Sequence, residues 1–149
     1  LAKNLGGKFK TKHLPIKANR KELKGSSILV AEDNKLNQEL IKAVLGKFNV
    51  EVTIANNGQE CVEYLKKTDF DLVLMDVQMP VLDGYDATEY IRQVLKSEVP
   101  IIAMTANALK SQIEKCIAVG MNDCITKPFE FEDLNTKLAF FIAASKPKN

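Results

Sequence analysis

Glu32, Asp33, Asp76, Thr105 and Lys127 make up a set of three acids, a hydroxyl and an ammonium, and each stands at or just past the end of a short apolar run. Ile28-Leu-Val-Ala31 leads into Glu32 and Asp33, Leu72-Val-Leu-Met75 into Asp76, Pro100-Ile-Ile-Ala-Met104 into Thr105, and Asp123-Cys-Ile-Thr126 into Lys127. Three carboxylates crowded together repel one another and resist leaving water, so their pKa values rise unless a cation sits among them. The donors are hard oxygens without His or a nearby Cys, which favours Mg2+ over zinc. Magnesium usually takes one or two carboxylates and keeps waters for an incoming phosphate, so the set suits phosphoryl chemistry. Asp76 is the expected nucleophile, because a carboxylate can attack phosphorus to give an acyl phosphate. Thr105 and Lys127 are then placed to hold the other phosphoryl oxygens.

The elements that must bring these residues together follow from the hydrophobic pattern. Val73, Leu74 and Met75 are apolar at successive positions, so both faces of that strand need cover, as in a parallel sheet between helices. After the first run, Leu36, Leu40, Ile41, Val44, Leu45 and Phe48 recur at helical spacing behind Asn34, a fitting cap. Residues 50 to 54 form a second strand, and Asn57-Gly58 opens a helix with Cys61, Val62 and Leu65 inward. Pro80 and Asp83-Gly84 make a tight exit from the third strand into a helix carrying Ala87, Tyr90, Ile91 and Val94. A weaker helix over residues 107 to 119 turns Leu109, Ile113 and Ile117 inward and stops at Gly120. The last helix runs from about 130 to 144 with Phe131, Leu134, Leu138 and Phe141 inward.

Five strands alternating with five helices require parallel pairing through right-handed crossovers. The expected fold is α/β, a flavodoxin-like doubly wound five-stranded parallel sheet in the order 2-1-3-4-5 with helices on both faces. In such sheets ligands collect at the carboxyl ends of the strands, where strands one, three, four and five would present the five residues to one crevice.

Charge divides the chain. Residues 1 to 25 hold eight Lys or Arg against Glu22 alone, net +7, leaving 13 basic and 18 acidic residues, net −5, for the rest. The basic leader, with Gly6-Gly7 and Pro15 and no sustained period, reads as a linker or the end of a preceding domain; residues 26 to 145 are the globular unit and 146 to 149 a tail. His13, within the leader, reads as an ordinary surface residue, and without aromatic interleaving the leader is no nucleic-acid reader. Three widely spaced cysteines without a CxxC pair indicate neither zinc nor a disulfide framework, but reduced thiols in a cytoplasmic compartment. Cys61 and Cys124 read as buried core thiols, and Asp83, Asp86, Asp123 and Asp133 as caps, turns and surface charges. No apolar run is long enough to span a bilayer, so membrane contact is not expected of these residues, although a longer parent, of which this chain reads as a piece, is free to be anchored.

Residues 26 to 145 resemble the receiver domain of two-component response regulators, on the stretches ILVAEDNKLNQ, LVLMDVQMPVLDGYDAT, PIIAMTANA and CITKPF. The AEDN start, the VQMPVLDGYDAT loop and TANA look most like receivers attached to hybrid histidine kinases, and LAKNLGGKFKT resembles the closing strand region of a kinase catalytic domain. The resemblance implies that Asp76 is the phosphoacceptor, Thr105 the switch hydroxyl and Lys127 the phosphate-contacting lysine. It also implies that Asp33, Asp76 and the backbone carbonyl of Gln78 ligate Mg2+, with Glu32 acting through water, and that Gln78 and Asn107 tune acyl-phosphate lifetime. The implied donor is the phosphohistidine of a histidine kinase, and the implied acceptor a histidine phosphotransfer protein or domain. The chain would catalyse its own phosphorylation and dephosphorylation, but without nucleotide-binding glycine boxes it is no kinase.

One position departs from the family. Three residues before the lysine, receivers often carry Tyr or Phe, whose rotation accompanies movement of the switch hydroxyl; here stands Cys124, which has neither the volume nor the rotamer lever of a ring. Output is then expected from the loops after the third and fourth strands or from direct phosphotransfer. The same departure keeps open a scaffold that binds partners without phosphorylation. A related phosphohydrolase would need an acid two residues past Asp76, where Gln78 stands, and a dinucleotide enzyme would need a GxGxxG that follows no strand.

Overall fold

In the computed structural model, which describes residues 23 to 107 and 109 to 145, the apolar runs become parallel strands and the amphipathic stretches helices. The expectations for residues 1 to 22, His13 among them, and for 146 to 149 lie outside the described residues. In chain order the elements are β1 (Ser27–Ala31), α1 (Lys35–Gly46), β2 (Glu51–Ala55), α2 (Gly58–Lys67), β3 (Leu72–Asp76), α3 (Gly84–Gln93), β4 (Ile101–Thr105), α4 (Lys110–Val119), β5 (Asp123–Thr126) and α5 (Phe131–Ser145). The strands pair in parallel in the order β2-β1-β3-β4-β5, as expected.

Alternation along the strands divides the core into two layers. Leu29, Ala31, Val73, Met75, Ile101 and Ala103 meet α2, α3 and α4 on one face through Cys61, Val62, Ala87, Ile91 and Cys116. Ile28, Val30, Leu72, Leu74, Ile102 and Met104 meet α1 and α5 on the other through Ile41, Leu45, Leu134, Leu138 and Ile142. Leu23, ahead of β1, is fully buried in this second layer. Among the described residues no helix is long and apolar enough to cross a membrane.

Helix starts follow the capping chemistry. The side chains of Asn34, Asn57 and Asp83 accept from the backbone N–H of Asn37, Glu60 and Asp86 at 2.9, 2.8 and 2.8 Å, capping α1, α2 and α3. Gly120, with φ +112°, closes α4 in the left-handed region. α4 starts at Lys110, later than its hydrophobic spacing suggested, and without a side-chain cap.

Not every apolar position on the helices is covered, and one inward assignment, Leu109, is corrected. Leu36 and Leu40 on α1 are 70% and 57% exposed, because the apolar residues of this helix spread over about half its circumference at ~100° per residue and the sheet covers only the arc of Ile41, Leu45 and Phe48. Leu109 is exposed ahead of α4, whose buried side chain is Cys116, and Val94 is exposed beyond the end of α3. Asp123, expected at the surface, is buried at the start of β5, where Lys137 of α5 donates to it at 3.3 Å and Cys124 N–H at 2.7 Å.

At the amino ends of the strands, the Arg92 guanidinium donates to Gly120 O (2.9 Å), Ser97 O (3.0 Å) and Asn122 Oδ1 (2.9 Å), and the same Asn122 oxygen accepts from Ile101 N–H at 2.8 Å. One side chain thus registers α3 against the starts of β4 and β5. At the carboxyl ends, Gly84 opens α3 directly beneath the end of β3. A Cβ there would collide with the carbonyl oxygen of Asp76 and come within 3.0 Å of Met75 Cγ and Val77 Cα. Gly84→Ala is therefore expected to lower stability by about 1–3 kcal/mol, the usual cost of overpacking; a urea midpoint equal to the wild type would contradict this.

Candidate functional site

The carboxyl ends of β1, β3, β4 and β5 surround a cleft of about 320 Å³ lined by Glu32, Asp33, Asn34, Asn37, Asp76, Gln78, Thr105, Asn107, Gln112 and Lys127, with Val77 and Ala106. All five residues singled out by sequence meet there. Glu32, Asp33 and Asp76 each offer an oxygen within 4.8 Å of the others, Glu32 and Asp76 buried and Asp33 exposed. This is the crowding of hard donors that suits Mg2+: one exposed acid open to solvent and two acids in the wall.

Lys127 spans the cleft from the far end of β5. Its ammonium donates to Glu32 Oε1 at 2.9 Å and to Asp76 Oδ2 at 3.2 Å. Burial pulls this lysine's pKa down, but the hydrogen bond to Glu32 and the charges of Asp76 and Glu32 outweigh it, so Lys127 lies above the ordinary lysine value and stays charged. Asp76 is pushed up to about 6, first by burial and also by the Glu32 charge; the Gln78 N–H bond at 3.1 Å and Lys127 pull the other way and only partly offset these. The phosphoacceptor candidate is thus a carboxylate whose ionised form is under-stabilised by the chain itself.

Glu32 is the most heavily engaged of the acids. Besides Lys127, its Oε2 accepts from Asn34 N–H at 3.2 Å and from the Asn37 amide at 3.4 Å. Its backbone carbonyl accepts from buried Gln38 at 2.6 Å, and Gln38 donates onward to Asn56 Oδ1 at 2.9 Å. Asn56 in turn donates to Glu60 of α2. Asn34, Asn37 and Gln38 were missed as site residues by composition and spacing; the signal was the run Asn34-Lys-Leu-Asn37-Gln38, whose amides fall on the first turn of α1 facing the acids.

Thr105, buried at the end of β4, has its hydroxyl within bonding distance of Asn107 O (2.8 Å) and Gln112 Oε1 (2.9 Å), and it accepts from Asn107 N–H at 3.3 Å. Gln112 was not foreseen, because it lies on a helix face with no apolar or charged signature. Cys124 is a buried strand thiol, pushed up to about 11 by burial first, and no redox poise follows from it. Tyr85 of α3 is one of two half-buried rings, with Phe70, packed against that core layer, and the Lys115 ammonium lies 4.2 Å from its centroid.

A flavodoxin-like doubly wound domain with an acidic, lysine-bridged cleft at its strand ends defines the class, and comparison supplies the family. The response regulator receiver domain family matches residues 28–139, and the chain belongs to it. It is 38% identical over 131 residues to hybrid signal transduction histidine kinase I of Dictyostelium discoideum, covering 80% of this chain and 8% of that protein. It is 40% identical over 113 residues to the signal transduction histidine-protein kinase BarA of Escherichia coli, covering 75% of this chain and 12% of that protein. The chain therefore spans about a tenth of the length of these curated relatives, matching their receiver regions.

Among solved structures, the receiver domain of a Pseudomonas aeruginosa sensor histidine kinase, with a magnesium ion coordinated in its active site cleft, aligns with a TM-score of 0.74 at 43% identity over 80% of this chain and 98% of that one. A chain from the Saccharomyces cerevisiae co-crystal of the histidine phosphotransfer protein Ypd1 with the receiver domain of Ssk1 aligns with a TM-score of 0.79 at 30% identity, covering 85% of this chain and 95% of that one.

The raised Asp76 value has a sign that can be measured. A carboxyl whose folded pKa, about 6, exceeds its unfolded value, near 3.8, contributes stability that is fully present below the unfolded value and lost as pH rises through the folded one. In metal-free buffer at pH 7.5, Asp76→Asn is expected to be more stable than the wild type by on the order of 1–3 kcal/mol, a gap that closes as pH falls from 6 toward 4. Urea unfolding of both proteins with a chelator at pH 7.5 and 4.5 checks this; a less stable Asn variant at pH 7.5 would reject it.

Proposed function

We propose that this domain accepts a phosphoryl group from a phosphohistidine of a histidine kinase onto Asp76, with Mg2+, and passes it to a histidine phosphotransfer partner. The observation that carries the proposal is the cleft itself: two acids, Glu32 and Asp33, and one ammonium, Lys127, converge on a third acid, Asp76, at the strand ends. Membership of the receiver family and the magnesium-bound receiver of Pseudomonas aeruginosa support it.

Asp33, Asp76 and the backbone carbonyl of Gln78 would hold the metal, with Glu32 acting through water. Bound there, Mg2+ neutralises the carboxylates and the phosphoryl oxygens. The chain's own residues do the rest. An Asp76 carboxylate oxygen forms a bond to phosphorus as the phosphorus–nitrogen bond of the donor breaks, and the imidazole leaves with that electron pair. Lys127, already directed at Asp76 Oδ2, meets negative charge on the transferred group, and the Thr105 hydroxyl supplies a further donor. Desolvation raises the cost of ionised Asp76 and so favours any state in which its charge is shared. The domain is a self-phosphorylating substrate.

For the partner, the exposed side chains of α1 offer the docking surface. Leu36 and Leu40 stand out beside a groove formed with Ile41, Val44, Lys127, Pro128 and Phe129, continuous with the cleft through Asn37 and Lys127. An amphipathic helix that brings a histidine over Asp76 can lay its apolar face there. The structure of a receiver with Ypd1 supports a partner of this kind.

Incubation with acetyl phosphate and Mg2+ is expected to add one phosphoryl group, read by intact mass, and Asp76→Asn is expected to add none; equal uptake by the variant would sink the assignment. Glu32→Gln should weaken Mg2+ binding by roughly ten- to a hundredfold, the usual cost of losing an outer-sphere partner, measured by calorimetry because the chain has no tryptophan. Leu40→Asp should leave uptake from acetyl phosphate intact while slowing transfer to a histidine phosphotransfer protein at least several-fold. If both reactions slow in proportion, α1 is not the docking face.

A further inference from the structure

The geometry points to Gln112 as a positioning residue that holds the Thr105 hydroxyl away from phosphoryl uptake and ties its release to α4; this rests on the reading of Asp76 as phosphoacceptor. A threonine hydroxyl has one proton to give. Among the described residues its two acceptors, Gln112 Oε1 at 2.9 Å and Asn107 O at 2.8 Å, lie on the β4–α4 side of the cleft. Donation to a phosphoryl oxygen on Asp76 therefore requires the proton to leave both of these acceptors, between which it is shared. Asn107 contributes a backbone carbonyl that no substitution removes, so Gln112 is the adjustable member of the pair.

Gln112 also sits where its release has a consequence. It is the third residue of α4, its N–H donates to the carbonyl of Leu109 at 3.0 Å in the opening turn, and that turn has no side-chain cap. Leu109 beside it is exposed. The Thr105–Gln112 bond is thus a side-chain tie between the first turn of α4 and the strand end that faces Asp76. Breaking it on phosphorylation frees the start of α4, a route from the cleft to the surface that needs no aromatic ring at Cys124.

Two variants separate this role from simple packing. Gln112→Met keeps length and volume without the amide acceptor, and Gln112→Glu keeps an acceptor oxygen. With Mg2+ and sub-saturating acetyl phosphate, Gln112→Met is expected to take up phosphate roughly three- to tenfold faster than the wild type, the rate equivalent of one ordinary hydrogen bond, and Gln112→Glu no faster. In the metal-free proteins, the Thr105 methyl NMR shift of Gln112→Met is expected to move toward the position the wild type reaches once phosphorylated, while that of Gln112→Glu stays. Uptake by the wild type with an equal or slower rate in Gln112→Met, an unmoved Thr105 methyl, or equal acceleration in both variants would overturn the role of Gln112 alone. No uptake by the wild type would overturn the receiver chemistry, and this inference with it.

Discussion

The ammonium of Lys127 bridges Glu32 and Asp76 at 2.9 and 3.2 Å, and the rest of the cleft depends on that contact. Two buried carboxylates facing each other without a cation would repel one another across the strand ends that carry them. One positive charge delivered from β5 lets β1 and β3 end side by side in acids. It does not satisfy them fully: Asp76 still lies well above an ordinary carboxyl, because burial outweighs the lysine and the Gln78 N–H. On the proposed reading, that residual deficit is what a bound divalent cation would relieve.

Stability is supplied at the opposite end and along the second face. Arg92 registers α3, β4 and β5 through three hydrogen bonds, and the buried pair of Lys137 with Asp123 ties α5 to the start of β5. Asp123 is held above its ordinary value chiefly by burial, with Lys137 and the Cys124 N–H offsetting part of that cost. Through these distant contacts β5 is placed firmly enough for Lys127, at its far end, to reach across two strands.

The fold was largely legible because its signals are local. Apolar runs of strand length alternating with amphipathic stretches admit few arrangements, and the caps at Asn34, Asn57 and Asp83 use side chains that bond their own neighbours. Where an apolar arc was wider than its cover, as on α1, periodicity could not say which edge would be left out. Leu36 and Leu40 share the helical spacing of Ile41 and Leu45, yet they stand in solvent. Asp123 failed for the opposite reason: its burial depends on Lys137, fourteen residues away on another element.

Residue types and strand-end positions sufficed for the convergence of Glu32, Asp33, Asp76, Thr105 and Lys127, since parallel topology carries every strand end to one edge. Which of these acids is desolvated, and which partners hold them, came from packing alone. Asp33 is exposed while its neighbour Glu32 is buried, because Glu32 is drawn in by Lys127 and the amides of α1. The bond between Thr105 and Gln112 likewise joins a strand end to a helix turn seven residues on, and nothing in the spacing announces it. Such contacts depend on how helices seat against the sheet, a non-local balance of burial and hydrogen bonding that periodicity and composition do not contain.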